Sequence, residues 1–227
     1  DVFNTADFHL PQTRNRVLIF ATTAKVPKDF QFSSKLISEM FDKKYKETGL
    51  AYYETINDVL MQEVDSKYFL SERIKPTLLA DGSSNFKSKS DINQKIARPL
   101  TATMHKMHRA CQDNYYSLDF IKSHGKINPV DTMTKEELAQ LPIRKLTPEE
   151  AFKMKILLIT SEEWNDFVYC NGVLTNWFEG FPAEFAIKAR ANGVSDGALY
   201  KQAGNAVSVN TIYAVLYYLI MNKIIKS

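Results

Sequence analysis

Apolar positions along this chain fall into short runs separated by longer polar stretches. Val17-Leu18-Ile19-Phe20-Ala21 is a β-rich apolar run behind a proline and an arginine pair, and it predicts a buried strand. The stretch from Ser33 to Arg73 is polar and mixed in charge, with helical spacing at Ile56, Val59, Leu60 and Val64. Asp81-Gly82-Ser83-Ser84-Asn85 has the small polar composition of a mobile loop. Leu146-Thr147-Pro148-Glu149-Glu150 predicts a helix start: Thr147 is the N-cap, Pro148 takes the first helical position, and Glu150 completes a capping box. Gly204-Asn205-Ala206-Val207 leads into Ile212, Val215, Leu216, Leu219 and Ile220, whose three- and four-residue spacing predicts a core-facing helix. No internal repeat is present, and no apolar run reaches the roughly 18 residues that a membrane helix needs.

Length and composition narrow this picture. A chain of 227 residues fits one large domain or two small ones. With 44% apolar and 12% aromatic residues it can pack a core, which excludes bulk disorder. The start, Asp1-Val2-Phe3-Asn4, has neither an initiator Met nor a signal-peptide pattern and reads as a processed chain or a fragment. Cys111 and Cys170 give no disulfide framework and no metal-ligand spacing, as expected for a reducing cytoplasm. A net charge of +3 is too small to identify a polyanion partner, but its distribution says more. From Asp29 to Ala80, seven Lys/Arg face nine Asp/Glu; from Asp81 to Lys126, eight Lys/Arg face four Asp, with three His besides. A loop of small polar residues followed by Lys, Arg and His suits phosphate and base-edge contacts, while a solvated basic face is the plainer reading of the same composition.

Three stretches, in order, resemble the DNA cytosine-5 methyltransferase family. Pro11-Gln12-Thr13-Arg14-Asn15-Arg16, with its lead-in Asn4-Thr5-Ala6-Asp7-Phe8, resembles the family's Gln-x-Arg-x-Arg block, the eighth motif. Arg144-Lys145-Leu146-Thr147-Pro148-Glu149-Glu150 is similar to the Arg-x-Leu-Thr-x-x-Glu block, the ninth. Ser195-Asp196, followed by Tyr200-Lys201-Gln202-Ala203-Gly204-Asn205, resembles the tenth. Gly180-Phe181-Pro182 matches the Gly-Phe-Pro that follows the ninth. Each block alone is a weak sign; three in family order are a strong one. The roughly 120 residues between Phe20 and Arg144 stand where the family has its target-recognition domain, and Ile96-Ala97-Arg98-Pro99-Leu100-Thr101-Ala102 is similar to a phrase recurrent in such domains.

The resemblance implies an α/β fold. It would be the C-terminal part of an S-adenosylmethionine-dependent, Rossmann-like methyltransferase domain joined to a small irregular α+β target-recognition domain. The division it implies is a catalytic-domain strand at 1–24, recognition at 25–154, an insertion at 155–179, and a closing segment and helix at 180–227. The insertion holds Trp164, Trp177 and Cys170, and Ile156-Leu157-Leu158-Ile159 is a candidate extra edge strand. Segments near Phe3–Thr23 and Phe181–Ile225 are expected to return to one sheet, leaving an exposed edge and apolar surface in the lone chain.

In this family the target cytosine is flipped out of the stack, a thiolate adds to C6, and C5 attacks the methyl of S-adenosylmethionine. Carried over, Arg16 helps hold the flipped cytosine and Arg14 braces the site; an ion pair flanking a strand is the plainer alternative for both. Asn205, Ala206 and Val207 would line part of the cofactor pocket, with Asn205 opening the closing helix, and Gly204 would permit a close backbone approach. The alternative for Gly-Asn is an ordinary helix cap. Arg98, Thr101, His105, Lys106, His108 and Arg109 are candidates for DNA contact. His105 and His108 lie three apart, but with no third ligand nearby they indicate no metal.

The family's Phe-x-Gly-x-Gly loop, Pro-Cys nucleophile and Glu-Asn-Val block do not occur in the sequence: Cys111 follows Ala110 and Cys170 follows Tyr169. The implied partners are therefore double-stranded DNA and a polypeptide carrying those N-terminal motifs, with no membrane. The implied setting is a prokaryotic cytoplasm and a restriction-modification system, and the chain is expected to be inert alone. A non-catalytic DNA-binding remnant or regulatory subunit is the second reading, and an α/β domain unrelated to DNA the third.

Overall fold

A computed structural model describes residues 1–48, 53–82, 85, 88–104, 106, 108–155 and 183–225. Trp164, Trp177, Cys170, the Ile156–Ile159 run and Gly180-Phe181-Pro182 lie outside the described residues, as does His105.

The N-terminal segment forms an antiparallel pair, β1 (Val2–Asn4) with β2 (Asn15–Val17), in the register Val2 to Val17, Phe3 to Arg16 and Asn4 to Asn15. Between them Asn4 caps a 3-10 turn over Thr5–Phe8 by accepting the Ala6 N–H. The same Asn4 side chain accepts the Arg14 N–H at 3.1 Å, and the Thr5 N–H and hydroxyl both donate to the Arg14 carbonyl. The residues of the lead-in thus fix the backbone of the arginine that follows.

Helix α1 (Ser34–Thr48) places Ile37, Phe41 and Tyr45 at four-residue spacing on its buried face, with Lys46 and Asp42 paired on the outer one. It shares a core with Phe3, Phe8 and the last helix, α8 (Val209–Met221), although the sequence places it among the recognition residues. Ile56, Val59 and Leu60 are buried as their spacing suggests, but Ile56 opens a 3-10 turn (Ile56–Asp58) capped by Thr55 and Asp58, not a long helix.

The middle of the chain holds short elements: α2 (Lys75–Leu79), β3 (Tyr115–Ser117), α3 (Leu118–Lys122), α4 (Lys135–Leu138) and β4 (Ile143–Lys145). β3 and β4 pair antiparallel, Tyr116 opposite Arg144. Helix α5 (Pro148–Lys153) begins as the sequence predicts: Thr147 accepts the Glu150 N–H, and Glu150 accepts the Thr147 N–H at 2.7 Å. Glu150 is also paired with Arg144, both buried, and accepts the Met61 N–H. The ninth block is therefore one unit in which a helix cap doubles as the counter-charge of a buried arginine. Helices α6 (Ala183–Ala191) and α7 (Asp196–Asn205) complete the fold, with Leu199, Tyr200 and Ala203 packed against Leu100, Leu146 and Phe152.

Three expectations are corrected. The Val17–Ala21 run is not a buried strand: strand structure ends at Val17, which is 65% exposed, and Ile19 is 88% exposed. Local apolarity shows that such a surface seeks cover, but β1 is its only strand neighbour among the described residues. Asn205 does not open the closing helix. It ends α7, and the next helix starts at Val209 after Ser208. That helix is turned from its predicted face: Asn210, Thr211, Ala214, Val215, Tyr218 and Leu219 are buried, whereas Ile212, Leu216 and Ile220 are only half-buried. Asn210 tolerates burial because its amide donates to the Phe8 carbonyl at 2.8 Å.

Asp196–Met221 taken whole is long and apolar enough to cross a membrane, but it is broken at Ala206–Ser208 and its halves are packed into two cores. The expected common sheet is not seen among the described residues, whose strands form two antiparallel pairs.

Candidate cofactor and nucleobase site

Arg14 is the pin of the site. Burial, and then the charge of Arg16, lower its affinity for its proton, yet it has strong acceptors. Nη1 donates to the Leu100 carbonyl at 2.8 Å and Nη2 to the Gly204 carbonyl at 3.0 Å. One planar fork thus spans the predicted recognition segment and the end of α7, a geometry a lysine could not reproduce. The close approach is possible because residue 204 is glycine: a Cβ there would lie 2.5 Å from the Thr101 carbonyl.

Arg16, two residues on, is exposed and its Nη1 donates to the Asn15 carbonyl at 2.7 Å. It lines a cleft of about 140 Å³ together with Arg14, Val17, Asn205, Ala206, Val207 and the buried Ser208. The fold thus brings the two arginines and all three residues predicted for the cofactor to one place, although they are nearly the whole chain apart. The cleft mixes a guanidinium, an amide and a hydroxyl with apolar walls, which suits a zwitterionic amino-acid moiety bearing an apolar extension. Pockets for ligands of that size run from about 300 Å³ upward. The residues present therefore fit S-adenosylmethionine as one wall of its pocket.

The predicted DNA-contact residues behave differently from one another. Arg98 is drawn inward: Nη1 donates to the Asp91 carbonyl at 3.1 Å, and its backbone N–H and carbonyl both pair with the Asn114 side chain. Thr101 presses its backbone against Gly204. Lys106 and Arg109 are exposed, Arg109 reaching the Gln112 side chain at 3.3 Å. His108 is exposed beside the Tyr115 hydroxyl, at 3.3 Å. Among the described residues no cluster of three or more His, Cys, Asp or Glu could hold a metal ion.

Two features escaped the sequence reading. Arg190 joins Glu149, Asp196 and the Tyr68 hydroxyl, tying α6 and α7 to the ninth block and to residues ahead of β3. Lys155, predicted to begin an insertion, is buried against Gln12. Neither is announced by its neighbours in sequence, because Glu149 and Tyr68 lie 41 and 122 residues from Arg190 and Gln12 lies 143 from Lys155.

The family model for C-5 cytosine-specific DNA methylase matches residues 1–166. The chain belongs to that family. Membership implies S-adenosylmethionine as the methyl donor. Among its relatives, the type II methyltransferase M1.ScrFI of Lactococcus lactis subsp. cremoris is 27% identical over 214 residues, which are 94% of this chain and 41% of the relative. The chain thus spans less than half the length of the curated relative it matches. Two solved methyltransferases share its fold at 15% identity. EhMeth of Entamoeba histolytica has a TM-score of 0.51, covering 100% of this chain and 53% of its own. Dnmt2 of S. pombe has a TM-score of 0.55, covering 99% and 56%.

Proposed function

We propose that this chain is the target-recognition and cofactor-closing part of a DNA cytosine-5 methyltransferase. It acts on cytosine in duplex DNA together with a polypeptide that supplies the Phe-x-Gly-x-Gly loop, the Pro-Cys nucleophile and the Glu-Asn-Val block. The observation that carries this reading is the open cleft: it is bounded by Val17 and Val207, which are 65% and 58% exposed, beside an edge of β2 that pairs with no strand among the described residues. The half-buried ridge Ile212, Leu216 and Ile220 of α8 extends the same surface from the cleft. An apolar face with a free strand edge is a surface made to be covered.

In this reading Arg16 holds the flipped cytosine through its exposed fork, and Arg14 keeps that strand in register with Gly204 and Leu100. Asn205, Ala206 and Val207 form the wall against the cofactor, which when bound supplies the methyl group. Thr101, Lys106 and Arg109, with His105 beside them in sequence, face the DNA; Arg98 supports them from within. The division of the chain into a leading catalytic strand, a recognition segment and a closing segment follows the same assignment. The type II methyltransferase relative favours a role in a restriction-modification system of a prokaryote.

The test is transfer of labelled methyl from S-adenosylmethionine to duplex DNA, by the chain alone and after co-expression with the product of the upstream reading frame. Activity is expected only with the second polypeptide, and bisulfite mapping then gives the target. Incorporation by the chain alone would refute partner dependence. A stable, DNA-binding complex without transfer would favour the regulatory reading.

A further inference from the structure

Lys155 follows α5, is 0% exposed, and has no part in the chemistry assigned above. Its Nζ donates to Gln12 Oε1 at 2.9 Å, and its carbonyl accepts the Val209 N–H at 3.2 Å at the start of α8. Gln12 forms a parallel bridge to Ala97 and stands two residues ahead of Arg14. One residue therefore fastens the end of the ninth block to the arginine strand and to the closing helix.

The surroundings are wrong for an ammonium. Its hydrogen-bond partner is a neutral amide, the charges acting on it are Arg14 and Arg16, and no carboxylate lies within ion-pair reach among the described residues. A buried charge without a counter-charge is strongly disfavoured and sheds its proton instead. Gln12 points the same way. It is fully buried and its Nε2 has no acceptor among the described residues. An ammonium accepts nothing, whereas an uncharged amine can donate to Oε1 or, with the amide turned over, accept from Nε2.

We propose that Lys155 is a positioning residue for the Arg14–Arg16 strand and that it holds that strand as an uncharged amine. Burial first, and then the two guanidiniums, push its amine down to about 7. Protonation sets a third cation beside Arg14 and Arg16, loosens the hold on Gln12, and disturbs the cleft in which Arg16 meets Asn205. The role in methyl transfer rests on the site assignment above; the charge state and its effect on the arginines do not.

The experiment is an NMR titration of the full chain, without DNA or a second polypeptide, following lysine ¹³Cε and arginine Nε–Hε signals. The Lys155 signal, assigned by its loss in Lys155→Met, is expected to titrate near pH 7, with the Arg14 and Arg16 signals moving at the same midpoint. In Lys155→Met that arginine step disappears. In Gln12→Glu, which keeps the lysine and gives it a carboxylate, the Lys155 midpoint rises by more than one pH unit. A Lys155 midpoint near 10.5 overturns the proposal, and so do arginine signals that ignore the lysine. Failure of methyl transfer with any partner, by contrast, would overturn the functional reading and leave the titration standing.

Discussion

Gly204→Ala isolates the backbone approach on which the site depends. A Cβ at residue 204 would lie 2.5 Å from both the carbonyl carbon and oxygen of Thr101 and 2.6 Å from the Ala102 nitrogen. All three are backbone atoms, so no side-chain rotation relieves the clash. Restoring a 3.4 Å contact parts the segments by about 0.9 Å. Arg14 then cannot hold both Leu100 and Gly204, now at 2.8 and 3.0 Å. Overpacking costs about 1–3 kcal/mol. A charge-assisted hydrogen bond lost from a buried guanidinium adds about 1.5–3 kcal/mol. Against this, alanine favours the helix by about 1 kcal/mol over glycine. The net loss is about 1.5–5 kcal/mol, which for a chain of this length lowers Tm by roughly 3–20 °C. Thermal unfolding followed by circular dichroism reads it directly. Gly193→Ala is the control: nothing lies within 4 Å of its Cβ and only its φ of +84° is strained, so its loss is about 1–2 kcal/mol. A Gly204→Ala chain as stable as the parent would mean that helix propensity outweighs the contact, and the reasoning would fail.

Two further variants probe the interior. Arg144→Met leaves Glu150 charged and buried, still facing the Met61 and Thr147 N–H groups, and should cost about 3–5 kcal/mol in urea unfolding; a loss below about 1 kcal/mol would show that the pair contributes little. Asp113 is held up to about 6 by burial, against the opposing charges of Arg109 and Arg98. The folded chain therefore binds more protons than the unfolded one between the ordinary carboxylate range and about 6, so stability falls as pH rises through that window. Asp113→Asn should remove the fall and stabilise the chain above pH 6; parallel Tm profiles from pH 3.5 to 7 would contradict this.

What the sequence disclosed and what it hid divide along physical lines. The Thr147–Glu150 cap is legible because its partners lie within one turn, and the need for glycine at 204 is legible from its block. The second role of Glu150, as counter-charge to Arg144, adds a buried pair that the spacing alone does not announce. The Val17–Ala21 run misled because apolarity records a demand for cover without recording what supplies it. Ile212, Leu216 and Ile220 misled in the same way, since α8 is apolar on both faces and only contacts decide which is buried. The charge of Arg98 is visible in the sequence, whereas the Asp91 carbonyl that holds its Nη1 is not. Lys155 was hidden most completely, its side-chain partner lying 143 residues away.

The errors share a direction. Where the sequence promised a buried strand and a fully seated helix, the fold shows Val17, Ile19 and Val207 exposed and a half-covered ridge on α8. Elsewhere single amides serve two groups at once: Asn4 holds both a turn and Arg14, and Asn114 takes both backbone groups of Arg98. Val17 and Val207 both line the arginine cleft, so the uncovered surface and the cleft are the same place. A surface left apolar by neglect would have no reason to coincide with the convergence of Arg14, Arg16 and Asn205. Under the proposed function the coincidence has a reason: the surface that completes the cleft would also cover Val17 and Val207.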